Sequence, residues 1–393
     1  MEPGSKALRP PFPHIAVEGG PRERGRSYGE QTRDRVRRSI EAYEQVFDHY
    51  AGWDWAQVTA EAIRYRDPIA RFSEKYLEEI AGIAEGAGVP ESDVLALNVR
   101  TEVMFAAKAR AAAELGERPN PPHECSAFAV LPTRSADGHT LIGQNWDWLL
   151  HSFDTCVVLE AQQDDGPDFV TVVEAGLLAK TGMNSSGIGL ATNALVSDDD
   201  HGEPGVPYHL LLRSILDAET ISDAYAALQR GVRSSSANYL VAHVDGVAVD
   251  VEGSPGDFTR LYLNFPEDGV VLHTNHFRST SFEGDDVSLW VMPDSPFRLE
   301  RLVTGVLGIG SLSLETFRGL LADHSNYPSG VCCHPDARMD PHDQGSTVAS
   351  ILMDLDAKRM WIADGHPCTN PYRELDYSSF LAKPSPVLAG RPA

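Results

Sequence analysis

The sequence predicts a layered α+β fold, and three observations lead to this prediction. Apolar residues recur at helical spacing in residues 1–124, whereas residues 125–382 carry short alternating runs typical of strands. A proline-rich segment, GERPNPPHE at 116–124, separates the two regions and predicts an exposed linker that can be cut without unfolding its neighbours. We therefore divide the chain into a mostly helical leader (1–124), a body (125–382) and a flexible tail (383–393).

The leader is predicted to contain three helices, because apolar residues recur there three or four positions apart. The first run comprises Tyr28, Val36, Ile40, Tyr43, Phe47 and Tyr50, and the second comprises Ile69, Phe72, Tyr76, Ile80 and Ile83. Gly86 and Gly88 predict the end of the second helix, and Pro90 predicts the start of a third helix that extends to Phe105. We expect the first ~12 residues to be disordered.

The body alternates between predicted strands and predicted helices. The strands lie near 155–161, 168–174 and 187–193, and the helices lie at 208–216, 221–228 and 313–321. Turn residues predict two hairpins, one at 237–251 and one at 347–362. A succession of strands, a helix pair and more strands is typical of sheets covered by helices, which is the layered α+β class.

The first hairpin of the body carries the candidate chemistry. Alternating residues at 126–131 and 140–144 predict two strands, and the sequence Ser-Ala-Asp-Gly at 135–138 is typical of a turn. In an antiparallel pair, this turn puts Cys125 opposite Asp147, give or take about two residues. A thiol and a carboxylate are therefore predicted to face each other across two strands.

The chain is strongly acidic, and this limits its partners. Its 393 residues include 33 Lys and Arg against 57 Asp and Glu, a net charge of −24. Binding of nucleic acid or of an anionic membrane surface requires a basic patch, so we expect neither partner. The five scattered cysteines form no disulfide framework, and no apolar run approaches membrane-spanning length, so we expect a cytoplasmic protein.

We predict no metal and no cofactor. Cys332, Cys333 and His334 are adjacent rather than spaced as in a structural zinc site, and no second Cys-x-x-Cys motif accompanies them. His273 and His276 are also possible metal ligands, and we predict that they bind no metal either. The glycine-rich stretches lack the flanking pattern of a phosphate-binding loop.

Cys125 has a position that suits a nucleophile, although an isolated cysteine is more often a small buried residue. It follows the cuttable linker and begins a strand. If cleavage before Cys125 frees its α-amine, the cysteine gains its own base, because an amine pKa of about 7.7–8 lies close to a thiol pKa of about 8.5.

Several motifs occur in the order typical of a known family. They are Cys-Ser-Ala-Phe from residue 125, Gly-Gln-Asn-Trp-Asp from 143, Gly-Met-Asn-Ser-Ser-Gly-Ile-Gly from 182, Ala-Thr-Asn from 191, His-Thr-Asn-His from 273 and Arg-Leu-Glu-Arg from 298. With these motifs the chain resembles the isopenicillin N acyltransferase-like proteins, autoproteolytic N-terminal nucleophile hydrolases related to choloylglycine hydrolases. The likeness extends over residues 19–370.

The resemblance implies a four-layer αββα sandwich and a zymogen that cleaves itself between Glu124 and Cys125. It implies that Cys125 is the nucleophile, that Asp147 orients the Cys125 ammonium, that Asn275 donates to the oxyanion with backbone N–H groups near Asn193, and that Arg298 anchors the site. We also predict that Asn145, Trp146 and Asn193 bind substrate. Members of the family often have glycine where this chain has Glu124.

The predicted activity is hydrolysis of a small linear amide through an acyl-cysteine intermediate, with the leader retained as the partner chain of an α/β heterodimer. Residues 125–393 contain only 16 Lys and Arg against 36 Asp and Glu, which disfavours binding of an acyl-coenzyme A donor with its several phosphate charges. The alternatives are an acyltransferase, a non-catalytic scaffold of the same fold, and an uncleaved cysteine hydrolase with a histidine base.

Overall fold

The computed structural model describes residues 9–115 and 125–382, with side chains described through residue 108 in the leader and again from Cys125. The linker that ends in Glu124, the first eight residues and the tail at 383–393 lie outside the described residues, and so do the predictions made for them. The disorder predicted for the first ~12 residues is wrong at Phe12, which is buried and whose N–H donates to Oδ1 of Asp364 at 2.8 Å. No helix in the described ranges is long and apolar enough to cross a membrane.

Helices make up most of the leader and cover the sheets of the body. In the leader they are α1 (Pro21–Ala51), α2 (Trp55–Ala62), α3 (Arg66–Phe72), α4 (Glu74–Ala87), α5 (Glu91–Asn98) and α6 (Arg100–Leu115). In the body they are α7 (Tyr208–Leu216), α8 (Ile221–Arg230), α9 (Ser288–Val291), α10 (Ser295–Val306) and α11 (Leu314–Leu321).

The strands form two sheets. The eight-stranded sheet has the order β1-β4-β5-β6-β7-β8-β9-β10, and the six-stranded sheet has the order β11-β2-β3-β12-β13-β14. The first contains β1 (His14–Gly19), β4 (Cys156–Gln163), β5 (Phe169–Glu174), β6 (Thr181–Asn184), β7 (Ile188–Ala194), β8 (Ala237–His243), β9 (Val247–Gly253) and β10 (Leu261–Asn264). The second contains β2 (Cys125–Val130), β3 (Leu141–Leu149), β11 (Val270–His273), β12 (Gly345–Asp354), β13 (Arg359–Ala363) and β14 (Arg373–Asp376).

Four layers stack as helices, sheet, sheet and helices. Val158 and Val170 of the eight-stranded sheet pack between the sheets against Ile142 and Ala349 of the other. On its outer face the eight-stranded sheet packs against the leader helices and α7, and the six-stranded sheet packs against α10 and α11. The stacked rings of Phe128 in β2 and Phe317 in α11, 3.6 Å apart, join the last two layers. The predicted αββα sandwich is confirmed.

The structure corrects the sequence-based prediction in the leader. The leader begins with β1, a strand that pairs in parallel with β4 of the body, whereas only helices were predicted before residue 125. Three prolines at positions 10, 11 and 13 precede this six-residue strand and conceal its alternation. The second predicted helix is divided into α3 and α4 because Ser73 takes an extended backbone, and the third is divided at Val99 into α5 and α6. The three predicted hairpins are confirmed as β2–β3, β8–β9 and β12–β13.

Glycines let α1 and α4 pack backbone against backbone. A Cβ atom added to Gly29 of α1 would lie 2.2 Å from the carbonyl oxygen of Ile83, and one added to Gly86 of α4 would lie 2.0 Å from that of Arg26. Both distances are shorter than any contact that a carbon and an oxygen tolerate, and the neighbour in each case is rigid backbone. The glycines therefore set the distance between α1 and α4.

We predict that Gly29→Ala lowers the free energy of unfolding by about 1–3 kcal/mol, because the added methyl group must push two helix backbones apart. Gly319→Ala is the matched control, since a Cβ on this exposed glycine of α11 has no neighbour within 4 Å. It should leave stability unchanged or raise it by up to about 1 kcal/mol. Urea unfolding of both variants measures the difference, and equal midpoints would contradict the packing described here.

Candidate active site

Cys125 begins β2, which lies between β11 and β3 in the six-stranded sheet. Its side chain is buried among the residues that pack between the two sheets. The register puts Cys125 opposite Trp146, one residue from the predicted Asp147 and inside the tolerance of that prediction. Because successive residues of a strand face opposite sides, Asp147 turns to the helix-covered face while Cys125 and Trp146 face the other sheet.

Two side chains hold the main chain of Cys125 at both ends. Its N–H donates to Oδ1 of Asn275 at 2.7 Å, and its carbonyl oxygen accepts from Nη1 of Arg298 at 2.8 Å. Nη2 of Arg298 also donates to Oδ1 of Asn275, at 3.0 Å. Two donors on one amide oxygen fix the orientation of the Asn275 side chain. We call Cys125, Asn275 and Arg298 the main-chain clamp.

The two residues that hold Cys125 in the clamp, Asn275 and Arg298, come from elements joined by a hydrogen bond. Arg298 lies in the first turns of α10, fully buried, and its Nε donates to Asp294 at 2.7 Å. Asn275 follows β11, and its backbone N–H donates to Oγ of Ser295 at 2.7 Å, the first residue of the same helix. A buried guanidinium is stable only where acceptors satisfy its N–H groups, and Asp294, Asn275 and the Cys125 carbonyl supply them.

Asp147 is a buried carboxylate with one oxygen unused. Its Oδ1 accepts from the hydroxyl of Thr347 at 2.5 Å, whereas Oδ2 has no hydrogen-bond partner among the described residues. Burial raises the pKa of Asp147 to about 7, although Thr347 and Arg298 favour the charged form. A positively charged donor placed near Oδ2 would satisfy this oxygen and stabilise the carboxylate.

The thiol of Cys125 lies close to a buried lysine that the sequence analysis missed. Burial raises the pKa of the thiol to about 11, and the positive charge of Lys180 opposes this increase. Lys180 is itself buried, and its Nζ lies 4.5 Å from the ring centre of Trp146 and 5.9 Å from that of Tyr208. Burial lowers the pKa of Lys180 to about 8. A single lysine inside the apolar run LLAKTGM was the available signal.

A small cavity adjoins the thiol. Its wall contains residues of the leader and of the body, namely Arg100, Thr101, Phe105, Cys125, Trp148, Lys180, Ala194, Leu195, Tyr208, His209 and Ser236. Arg100 is paired with Glu174 at 2.5 Å. Burial would raise the pKa of Glu174, but Arg100 overrides this effect and lowers it to about 2. Since Glu174 neutralises Arg100, Lys180 is the residue that gives the cavity wall a positive charge.

A second, mainly apolar cavity shares four residues with the first, namely Arg100, Thr101, Phe105 and Trp148. Its wall is completed by α1, α6 and the end of β3, through residues such as Tyr43, Phe47, Met104 and Leu149. The leader thus contributes to both cavities, which makes it part of the candidate site rather than a separate domain.

The three residues predicted to bind substrate lie behind this cavity rather than on its wall. The amide nitrogen of Asn145 donates to the carbonyl oxygens of Leu321 and Val331, at 2.8 and 2.7 Å. Trp146 packs between the sheets under Lys180. The side chain of Asn193 bonds to the carbonyl oxygen of His273 and to Asn238. The structure therefore brings Cys125, Asn275 and Arg298 into direct contact, with Asp147 on the adjacent strand.

An αββα sandwich whose nucleophile candidate begins a central strand defines the class of N-terminal nucleophile hydrolases. The family described as AAT, acyl-coenzyme A:6-aminopenicillanic acid acyl-transferase, matches residues 133–368, which is more than half of the chain. The chain belongs to this family. Its members are enzymes, so the non-catalytic scaffold considered from the sequence is set aside.

The chain is also similar to individual proteins. The 40 kDa form of acyl-coenzyme A:6-aminopenicillanic-acid-acyltransferase from Emericella nidulans is 27% identical over 365 residues, which cover 91% of this chain and 94% of the relative. A mutant of conjugated bile acid hydrolase from Clostridium perfringens is 14% identical, with a TM-score of 0.43 over 66% of this chain and 95% of that one. Penicillin V acylase from Agrobacterium tumefaciens is 15% identical, with a TM-score of 0.38 over 66% and 88% of the two chains.

We predict that Lys180→Met slows alkylation of Cys125 by iodoacetamide several-fold at pH 8. Removing a buried positive charge raises the thiol pKa, so less thiolate is present at that pH. The measurement is the modification rate of the peptide containing Cys125, followed by mass spectrometry across a pH series. Lys75→Met is the control, because Lys75 pairs with Asp165 and Asp217 and none of the three lines the cavity. An unchanged pH profile in Lys180→Met would remove Lys180 from the thiol environment.

Proposed function

We propose that this protein is a self-cleaving cysteine amidohydrolase that hydrolyses a small linear N-acyl amide. The observation that carries the proposal is the main-chain clamp, because it holds the N–H and the carbonyl of the one residue that would become the new amino terminus. A buried structural cysteine needs no such arrangement. The clamp also leaves the thiol as the part of Cys125 that is free to react.

In the cleavage step, the Cys125 sulfur attacks the carbonyl carbon of Glu124. The carbon–nitrogen bond breaks, the thiol proton passes to the departing nitrogen, and the acyl group is left on sulfur as a thioester. Water then hydrolyses the thioester, which releases the Glu124 carboxylate and regenerates the thiol beside a free α-amine. The step needs no co-reactant other than water.

The new amine would act as the base for the next substrate. A free α-amine has a pKa of about 7.7–8, so it can accept the thiol proton at neutral pH. The ammonium formed carries more N–H groups than the peptide did. Asn275 Oδ1 already accepts one, and the unused Oδ2 of Asp147 is a suitable acceptor for another. This arrangement supports the proposed role of Asp147 as the counter-charge.

Asn275 can also donate a hydrogen bond to the oxyanion that forms on the substrate carbonyl. Its amide nitrogen donates one hydrogen to the carbonyl oxygen of Ala194 at 2.9 Å, and Ala194 lies on the cavity wall. The second amide hydrogen has no partner within the described ranges and is available to the substrate oxygen. One donor fixed in this way typically contributes about 3–4 kcal/mol to stabilising the transition state.

The cavity favours a substrate with a carboxylate near the reacting amide. Although the chain as a whole is acidic, Lys180 places a buried positive charge beside the thiol. Its described contacts are aromatic faces and a backbone bond, so its ammonium has hydrogen-bond capacity left for a ligand. The adjoining apolar cavity is suited to the hydrocarbon part of the acyl group.

Acyl transfer to an amine is the second candidate, and the family and the relative from Emericella nidulans favour it by name. Both reactions share the acyl-cysteine and differ in whether water or an amine resolves it. The low content of Lys and Arg in residues 125–393 favours hydrolysis, because an acyl-coenzyme A donor carries several phosphate charges.

We predict that the freshly purified wild type consists of two chains, the second beginning at Cys125, that remain associated during gel filtration. Cys125→Ala should remain a single chain of 42.9 kDa and should be inactive. Cys333→Ala, with the same chemical change at another buried cysteine, should split and turn over like the wild type. Intact mass spectrometry checks all three, and an uncut, fully active wild type would contradict the mechanism.

We predict that the wild type prefers a carboxylate-bearing N-acyl amide over its neutral isostere by roughly tenfold in kcat/KM, as expected for a hydrogen bond between charged groups. Lys180→Met should lose this preference mainly through a higher KM for the carboxylate-bearing substrate. If Lys180→Met keeps the wild-type preference, Lys180 does not recognise the carboxylate. If the wild type hydrolyses both substrates with equal kcat/KM, the carboxylate has no role in recognition.

The choice between hydrolysis and transfer calls for a separate assay on the cleaved enzyme. One arm supplies an N-acyl amide in water, and the other supplies an acyl-coenzyme A together with the free amine. We expect amide hydrolysis to be the faster reaction. Faster amide formation from the thioester would make acyl transfer the main activity.

A further inference from the structure

Four metal-ligating side chains converge at one end of the six-stranded sheet, away from the cavity wall. They come from three places in the sequence and comprise His324, Cys332, His334 and Cys368. Cys332 and His334 are buried, Cys368 is partly buried and His324 is exposed at the edge of the group. All four ligand atoms lie within 4.8 Å of one another.

Four of the six distances between ligand atoms in this cluster match those of a tetrahedral site. The two sulfurs lie 3.7 Å apart, and Nε2 of His334 lies 3.5 Å from each of them. Nε2 of His324 lies 3.1 Å from Nε2 of His334. Zinc with bonds of about 2.3 Å to sulfur and about 2.05 Å to nitrogen separates tetrahedral ligands by about 3.8 Å for two sulfurs, about 3.6 Å for sulfur and nitrogen, and about 3.3 Å for two nitrogens.

We propose that His324, Cys332, His334 and Cys368 bind one Zn²⁺ ion in a structural site. Two thiolates and two imidazoles in tetrahedral positions are a ligand set typical of structural zinc sites. With four protein ligands the site is closed and leaves no position for a substrate, so its role is to stabilise structure.

The neighbouring residues support the selection of these four ligands. Cys333, between two of them, turns away, and its sulfur lies 4.0 Å from the carbonyl oxygen of His334. The ring of His366 stacks on that of His334 with centres 4.1 Å apart, and Nε2 of His366 lies 2.6 Å from Oγ of Ser346. The His334 ring is thus held in the orientation that points Nε2 at the two sulfurs.

The sequence-based prediction of no metal considered residues 332–334 by themselves, and alone they cannot surround an ion. The missing ligands are His324, eight residues earlier, and Cys368, which follows β13. Only the fold brings them together, because the β12–β13 hairpin returns the chain to the same end of the sheet.

Zinc at this position would brace the strand that carries Asp147. The Asn145 amide already holds the carbonyls of Leu321 and Val331, on either side of His324. The backbone N–H of Cys333 donates to Oγ1 of Thr347 at 2.9 Å, and the same hydroxyl donates to Asp147. The ion would therefore fix the loop that supports β3 from behind, without touching substrate.

The test begins with untagged protein purified without chelators. Mass-spectrometric metal analysis should find about one zinc per chain, and exchange for Co²⁺ should give a thiolate-to-cobalt charge-transfer band. Cys368→Ser and His324→Ala should each weaken zinc binding by about tenfold or more in competition with a chromogenic chelator. Cys333→Ser, the matched control, should retain the metal and the cobalt band.

Three results would overturn the proposal. The first is wild-type protein that contains no zinc and takes up none when titrated with it. The second is a disulfide between Cys332 and Cys368 in protein freshly purified under mildly reducing conditions. The third is undiminished zinc affinity in both ligand variants. If a variant fails to fold, the cobalt spectrum of the wild type decides by itself, because absence of the thiolate band excludes cysteine ligation.

Discussion

The main-chain clamp is the interaction on which the site depends. A residue at the start of a strand ordinarily has freedom to fray, yet Cys125 is held through its N–H by Asn275 and through its carbonyl by Arg298. With both backbone groups fixed, the direction of the thiol depends only on rotation of the cysteine side chain. Because Asn275 follows β11 and Arg298 belongs to α10, the clamp also joins a sheet to the helix layer that covers it.

Burial shifts the pKa values of the charged groups around Cys125 toward neutral pH. It raises the pKa of Asp147 to about 7 and lowers that of Lys180 to about 8, so both groups change charge near neutral pH. Perturbed groups of this kind are typical of functional sites. They lie on different sides of the cysteine: Asp147 faces the helix layer, and Lys180 lies beside the thiol between the sheets. The opposite charges are thus available to the amine and to the substrate separately.

The sequence predicted the features that depend on local patterns. The β2–β3 register followed from one turn and was correct within one residue, and motif order indicated the family to which the chain belongs. It did not predict β1, whose partner lies more than a hundred residues away. Asn145 was expected at the substrate, but strand alternation turns its amide toward Leu321 and Val331. The cluster around His334 joins residues that no local spacing connects.

The most direct test of the central claim is to trap the acyl-enzyme. The cleaved protein is mixed with an N-acyl amide, quenched in acid within one turnover, and digested for tandem mass spectrometry. The acyl mass should appear on the amino-terminal peptide of the second chain, on the sulfur of Cys125, and should disappear as product accumulates. Acylation of another cysteine, or product formation with no acyl group on Cys125 at any time, would contradict the assignment of Cys125 as the nucleophile.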